Sequence, residues 1–291
     1  MTNIKFFNQI KTPNTKLIGG KAVNLVKLYQ AGFNVPPAYI ISTKLFDRVT
    51  ANQQINNLIN KAVLEEKGST GKNHYRLTDS LQKIKNIIEQ KPLPEFYEKE
   101  IKKFYLKLGT KKVAIRSSAT CEDGSDSSFA GQFASFLAIE TKDLIPMIKK
   151  CLASVFFETV FMYCSYKNIS FRSIKMAIVV QKMINAQKGG VIFTSDVFNN
   201  EKDRLIIEAA RGLGENVVSG LLDPHKIVFS KRDGRIVEGV LGFNKPVLSQ
   251  QEAARLYQMA LEIESFYGKP QDIEWAIYRD EIYILQSRPI T

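Results

Sequence analysis

The spacing of apolar positions changes character near residue 110. Before it, the rhythm is helical. Ala22, Leu25, Val26, Leu28 and Tyr29 form a 3.6-residue stripe within GGKAVNLVKLYQA (19–31). That stripe predicts a helix entered from a glycine pair and ended by Gly32. VPPAYIIST reads as a proline-led extended segment, and residues 44–108 are polar, lysine-rich and mostly helical in pattern, with breaks at GSTGKN and KPLP. After it, KKVAIRSS predicts a strand, ATCEDGSDSSFAGQ a long polar loop, FASFLAI a strand, and residues 143–167 one helix. Beyond 175 the β signals dominate: KMAIVVQKMI, GGVIFTSD, RLIIEAA, HKIVFS and RIVEGVLG. SQQEAARLYQMALEIESFYG then predicts a helix capped by Ser249 and stopped by Gly268. Runs of helices followed by runs of strands predict an α+β (mixed α/β) protein rather than a repeating βαβ barrel.

The last segment, QDIEWAIYRDEIYILQSRPIT, breaks its own pattern. It reads as a hairpin, yet Asp272, Glu274, Gln286 and Arg288 interrupt its apolar alternation. In the first strand Asp272, Glu274, Ala276 and Tyr278 share a face; in the second Ile282, Ile284, Gln286 and Arg288 do. A two-residue turn would put Glu274 and Gln286 on opposite faces. A three-residue loop, Arg279–Glu281, would pair Glu274 with Gln286 and Asp272 with Arg288. We therefore expect the three-residue loop, with a carboxylate and an amide oxygen side by side. Such hard oxygen donors suit magnesium, which takes few protein ligands and fills its shell with water and phosphate.

Composition adds limits. The chain has 291 residues, 44% hydrophobic and 24% charged, enough for a buried core in one large domain or two lobes. No apolar run is long enough to span a membrane, and the N-terminal residues lack the pattern of a signal peptide. Three cysteines without metal-ligand spacing fit free thiols in a reducing cytoplasm, so a cytoplasmic location is expected. The net charge of +12 lies largely in dispersed lysines, which read as solvated helix faces; no nucleic-acid motif accompanies them. Neither a nucleic-acid nor a membrane partner is expected.

Several short stretches carry candidate chemistry. Lys21 follows Gly19–Gly20 at a helix start, a place that favours anions, although GGK before a helix is usually a plain turn. Arg116 follows a buried-looking strand and would sit at its end. Beyond it, Thr120, Gly131, Gln132 and several serines make a loop of small residues with accessible N–H groups that suits an anion. Glu122 and Asp123 complicate that site; they could face a lysine, or magnesium through water. Gln181, Lys182 and Met183 could line a base pocket or simply belong to a half-buried strand. Glu208 ends an apolar run and needs a partner if buried; Gly212 and Gly214 open a tight turn, and Glu215 follows.

Taken in order, GGKAVNL, RSSATCED…SFAGQ, VVQKMI, GGVIFTSD, EAARGLGENVVSG and DIEWAI…YILQSRP resemble the nucleotide-binding domain of the phosphoenolpyruvate synthase and pyruvate phosphate dikinase family, which rifampin phosphotransferase shares. The resemblance covers nearly the whole chain outside about 45–110. It implies an ATP-grasp fold, two lobes clamping ATP between them, with a phosphate-contacting lobe at 1–180 and a magnesium-binding lobe at 181–291. It implies that Lys21, Arg116 and Arg288 act on the phosphates as the catalytic cations. The loop with Thr120, Gly131, Gln132 and Ser135 would cover them. Gln181 and Met183 would lie by the adenine, with Glu208 and Asp272 also at the nucleotide, and Glu274 and Gln286 would hold Mg2+. The implied activity is ATP-dependent phosphotransfer, splitting ATP to AMP and passing phosphoryl groups to a histidine on a separate swivel domain. A stand-alone small-molecule phosphotransferase and a non-catalytic ATP sensor are the alternatives. Where the family has an acidic residue and a threonine after FAGQ, this chain has Ala134 and Ser135; Cys121 stands at a variable position. The family's phosphohistidine motif is absent: His74 and His225 have other contexts. The receiver is therefore expected in another chain or a missing C-terminal part.

Overall fold

The computed structural model describes residues 3–67, 72–124, 127–129, 131–196, 199, 201–214, 224–239 and 246–290. Glu215 lies outside them, and the side chains of Asp123 and His74 are likewise not described. The chain is mixed α+β and divides into two compact units, one of 1–26 with 37–183, the other of 27–36 with 184–291.

The first unit is built on an antiparallel sheet in the order β1 (Ile4–Phe6), β2 (Ala38–Ile41), β7 (Met176–Lys182), β3 (Val113–Ala119), β6 (Ser135–Ile139). Alternation sends Tyr39, Ile41, Val113, Ile115, Met176, Ile178 and Val180 to one face, where they form a single core. Helices supply its other wall: α2 (Thr43–Thr50), α3 (Gln53–Lys67), α4 (Lys72–Gln90), α5 (Glu95–Leu108), α6 (Leu144–Ala153) and α7 (Glu158–Tyr166). The single helix expected at 143–167 is in fact α6 and α7, separated by a 3-10 turn at Ser154–Phe156 and extended chain at Phe157. The apolar stripe runs through both, so periodicity hid the break. The polar loop after β3 contains a two-residue pairing, β4 (Asp123–Gly124) with β5 (Ser127–Ser128).

Helix α1 (Thr15–Gln30) starts before the glycine pair. Gly19, at φ +75° and ψ 169°, breaks it, and the helix resumes into Lys21. Gly32, at φ +88°, ends it as expected.

The second unit is a six-stranded antiparallel sheet in the order β11 (Ile236–Glu238), β10 (His225–Ser230), β9 (Arg204–Arg211), β8 (Lys188–Phe193), β12 (Gln271–Tyr278), β13 (Glu281–Pro289). Helix α8 (Gln250–Tyr267) buries Ala253, Leu256, Ala260 and Ile263. Ser249 caps the helix as expected, in a capping box with Glu252, and Gly268 terminates it in the left-handed region. Two half-buried ion pairs tie α8 to the sheet side, Lys188 Nζ–Glu252 Oε1 at 2.6 Å and Lys231 Nζ–Glu264 Oε2 at 2.8 Å. Trp275 and Ile273 of β12 are fully buried. The outer edge of β13 is occupied by Asn34, whose carbonyl accepts the Ile284 N–H (2.9 Å) and whose side chain donates to the Ile282 carbonyl (2.8 Å).

Candidate functional site

The β12–β13 hairpin pairs Glu274 with Gln286 and Asp272 with Arg288. The route to that register differs from the expected three-residue loop. The turn has two residues: Tyr278 pairs with Glu281, and Arg279 and Asp280 both have positive φ (50° and 64°). Two left-handed residues suit the right-handed twist of the flanking strands. The parity is then restored by a bulge, because Trp275 pairs with Ile284 and Glu274 with Gln286, leaving Leu285 without a partner. The bulge also corrects the expected grouping in β13. Ile282 and Ile284 share the face of Trp275 and Ile277, whereas Gln286 and Arg288 share the face of Glu274 and Asp272.

The polar face extends across the sheet. Directly paired residues point the same way, and the register runs Lys226–Glu208–Val191–Glu274–Gln286 from β10 to β13. Glu208 therefore lies inside β9, two strand spacings from Glu274, or about 10 Å between backbones. Arg288 donates from Nε (2.8 Å) and Nη2 (2.6 Å) to the same oxygen, Oδ2 of Asp272. Burial pushes the Asp272 carboxyl up; Arg288 opposes this and Glu274 adds to it, and the net shift is upward. Burial likewise raises Glu208, against the pull of Lys226 and with a push from Asp272. Among the described residues no three His, Cys, Asp or Glu side chains form a metal site. A magnesium ion here would use the Glu274 carboxylate and the Gln286 amide oxygen, with water and phosphate as the remaining donors.

At the centre of the same face, Gly189 leaves room for backbone to pack on the sheet. A Cβ on Gly189 would lie 2.6 Å from the Gly214 backbone nitrogen, and one on Gly214 would lie 2.5 Å from Gly190 N. The Gly212–Gly214 turn thus folds back onto β8, fixed by the Gly212 N–H donating to the Gln187 carbonyl (2.8 Å).

In the first unit Arg116, Gln181 and Ser135 share the sheet face opposite the core. Arg116 is not at a strand end: it sits mid-β3, between Val179 of β7 and Ser135 of β6, and is 8% exposed. Gln181 is on the same face, paired with Ala38 and Ala114, and its buried Nε2 has no partner among the described residues. Met183 follows β7, half-buried, and its N–H donates to the Lys112 carbonyl (3.1 Å). Gly131 is exposed at φ +69°, and Ser135 is exposed too. The turn holding Gly131 and Gln132 is anchored by Phe129, which stacks on Phe133 (5.7 Å) and meets Tyr163 edge-on (4.6 Å). The Gln132 N–H donates to the Phe129 carbonyl at 3.1 Å. Thr120 is tied to the backbone, its Oγ1 accepting the Lys175 N–H at 3.1 Å.

Lys21 is held in place by its neighbours. Ser118, at the end of β3, accepts the Ala22 N–H (2.9 Å) and donates to the Ile18 carbonyl (2.8 Å), bridging the kink at Gly19. Lys21 Nζ lies 3.0 Å from Glu122 Oε1, with side chains 11% and 9% exposed. The other oxygen of Glu122 accepts the Ala119 N–H at 3.1 Å. Glu122 thus faces a lysine, one of the two partners open to it from the sequence. Ser118, read from the sequence as one of the loop serines, lies within β3 instead. Lys226 carries no signal in the sequence alone and becomes notable only when register aligns it with Glu208.

The family model for the pyruvate phosphate dikinase AMP/ATP-binding domain matches residues 15–245 and 240–291. The chain belongs to this family. Among relatives, it is 34% identical over 317 residues to a "Probable phosphoenolpyruvate synthase" of Methanothermobacter thermautotrophicus, covering 99% of this chain and 46% of that protein. It is 36% identical over 307 residues to one of Archaeoglobus fulgidus (94% and 40%). It is 29% identical over 355 residues to the phosphoenolpyruvate synthase of Pyrococcus furiosus (99% and 44%). The chain therefore spans less than half the length of these relatives. Among solved structures, D-alanine-D-alanine ligase from Helicobacter pylori matches with a TM-score of 0.30 and 11% identity, over 74% of this chain and 61% of that one. Membership of the AMP/ATP-binding family makes a nucleotide the ligand to test against the two faces. No helix among the described residues is long and apolar enough to cross a membrane.

Proposed function

We propose that this chain binds ATP with Mg2+, cleaves it to AMP, and hands phosphoryl groups to a histidine on a separate swivel domain, as the donor module of a phosphoenolpyruvate synthase-like phosphotransferase. The observation that carries the reading is the single polar face of Glu274, Gln286, Asp272 and Arg288 in a member of an AMP/ATP-binding family. In this reading Glu274 and Gln286 hold Mg2+, which neutralises phosphate charge when bound. Lys21, Arg116 and Arg288 supply the cations, and Gly131, Gln132, Ser135 and Thr120 border the phosphates. The unpartnered amide of Gln181, with Met183 beside it, meets the base. Glu208 and Asp272 complete the polar contacts to the nucleotide and its metal.

Positioning and charge neutralisation are the main demands of phosphoryl transfer. The chain needs no covalent nucleophile of its own. His225 is the first residue of β10 and is held by pairing with Ala209, which does not suit a mobile phosphoryl carrier. The test is to incubate the chain with ATP and Mg2+, with and without a histidine-bearing swivel domain from a relative, and to resolve AMP from ADP. AMP formed with a phosphorylated histidine is the expected result. ADP as the product, or no turnover with any swivel domain, would overturn it.

A further inference from the structure

We infer that Glu122 is a positioning residue for phosphate recognition, holding Lys21 in the orientation that engages the nucleotide; this rests on the function proposed above. Both oxygens of this carboxylate face donors. Oε1 is 3.0 Å from the Lys21 ammonium, and Oε2 accepts the Ala119 N–H at 3.1 Å. Ala119 is the last residue of β3, so the carboxylate is tied to the rigid sheet rather than to its loop. Lys21 is tied to the same strand end from the other side, since Ser118 clamps Ile18 and Ala22 around it. The pair is nearly buried on both sides, so screening by solvent is small.

The chemistry requires a carboxylate here. An amide offers one acceptor and one donor, so a glutamine would turn an NH2 group toward either the ammonium or the Ala119 N–H. An ammonium has three N–H donors. With one donor fixed on Glu122, Lys21 has two more to give an anion, and its direction is set before the anion arrives. That is pre-organisation of a flexible four-carbon side chain, whose ordering would otherwise count against binding.

The experiment is a double-mutant cycle on the whole chain, using Glu122→Gln, Lys21→Met and both together, with ATP and adenosine as probes in Mg2+. Glu122→Gln is expected to weaken ATP about tenfold, the scale of one hydrogen bond to a charged group, while adenosine binding stays unchanged. In the Lys21→Met background, Glu122→Gln is expected to do nothing further. The double variant leaves no unpaired buried charge and serves as the folding control. Equal ATP affinity in wild type and Glu122→Gln would overturn the inference alone. So would an equal loss in both backgrounds, or a matching loss of adenosine binding. A wild-type chain that does not bind ATP would overturn the proposed function and this inference together.

Discussion

Glu274 stands opposite Gln286 because Leu285 bulges out of β13. The two-residue turn alone would place them on opposite faces, and the bulge inserts the one residue that reverses the parity. Deleting Leu285 is therefore expected to send either Gln286 and Arg288, or Ile282 and Ile284, to the wrong face. The deletion should abolish the Mg2+ dependence of ATP binding and lower stability, whereas Leu285→Ala, which keeps the extra residue, should retain both. Titration of ATP with and without EDTA distinguishes them. A deletion variant that still requires Mg2+ would show that register is not what joins these two side chains.

The turn offers a second, gentler change. Arg279 and Asp280 both occupy the left-handed region without being glycine. Asp280→Gly removes a Cβ from a conformation that disfavours it. The interaction that Asp280 makes with Arg255 uses its backbone carbonyl (2.8 Å) and survives the substitution. A gain of about 0.5 kcal/mol is expected, read as a higher urea midpoint with an unchanged slope. A lower midpoint would mean that the aspartate side chain stabilises the turn.

The hairpin also shows how far the sequence could be read. Two facts were visible in it: a short turn, and polar residues whose parity disagreed with that turn. A longer loop and a bulge both resolve such a conflict, and they differ in where Ile282 and Ile284 point. Burial of Ile284 beside Trp275 selects the bulge. Local periodicity was enough for α8 and its caps, because Ser249, Glu252 and Gly268 act within a few residues. It was not enough for Arg116. Its burial comes from Val179 and Ser135 on flanking strands, contacts 63 and 19 positions away. The row from Lys226 to Gln286 likewise depends on four strand pairings, of which only the Glu274–Gln286 hairpin is local in sequence.

Gly19 provides a third prediction. A Cβ there would lie 2.0 Å from the Ser118 carbonyl oxygen, at a φ of +75°. Gly19→Ala must therefore both strain the backbone and push α1 away from β3. A loss of roughly 2 kcal/mol or more is expected, with ATP affinity falling because Lys21 is two residues along. Ser118→Ala removes both hydrogen bonds that bridge the kink while making room, and about 1–3 kcal/mol is expected for it. Chemical unfolding of both variants checks the ordering. A Gly19→Ala chain as stable as wild type would mean that the kink is not required.

The acids of the second unit predict how metal binding depends on pH. Burial raises the carboxyls of Asp272 and Glu208 above their ordinary range. Each therefore holds its proton more tightly in the folded chain than in the unfolded one. Their favourable contribution to folding is fully present below the unfolded values, about 4 for both types, and declines as pH rises through the higher folded values. Both sit on the face that carries Glu274, so their ionised forms repel it, and a bound cation relieves that repulsion. Mg2+ affinity should consequently rise with pH over a window above the ordinary carboxylate range, with protons released on binding. Calorimetry in two buffers of different ionisation enthalpy, from about pH 5 to pH 7.5, measures both quantities. Glu208→Gln should shrink the proton release, because it removes one of the two raised carboxyls while leaving Glu274 and Gln286 in register. Mg2+ binding that releases no protons anywhere in this window would separate the raised acids from the metal site.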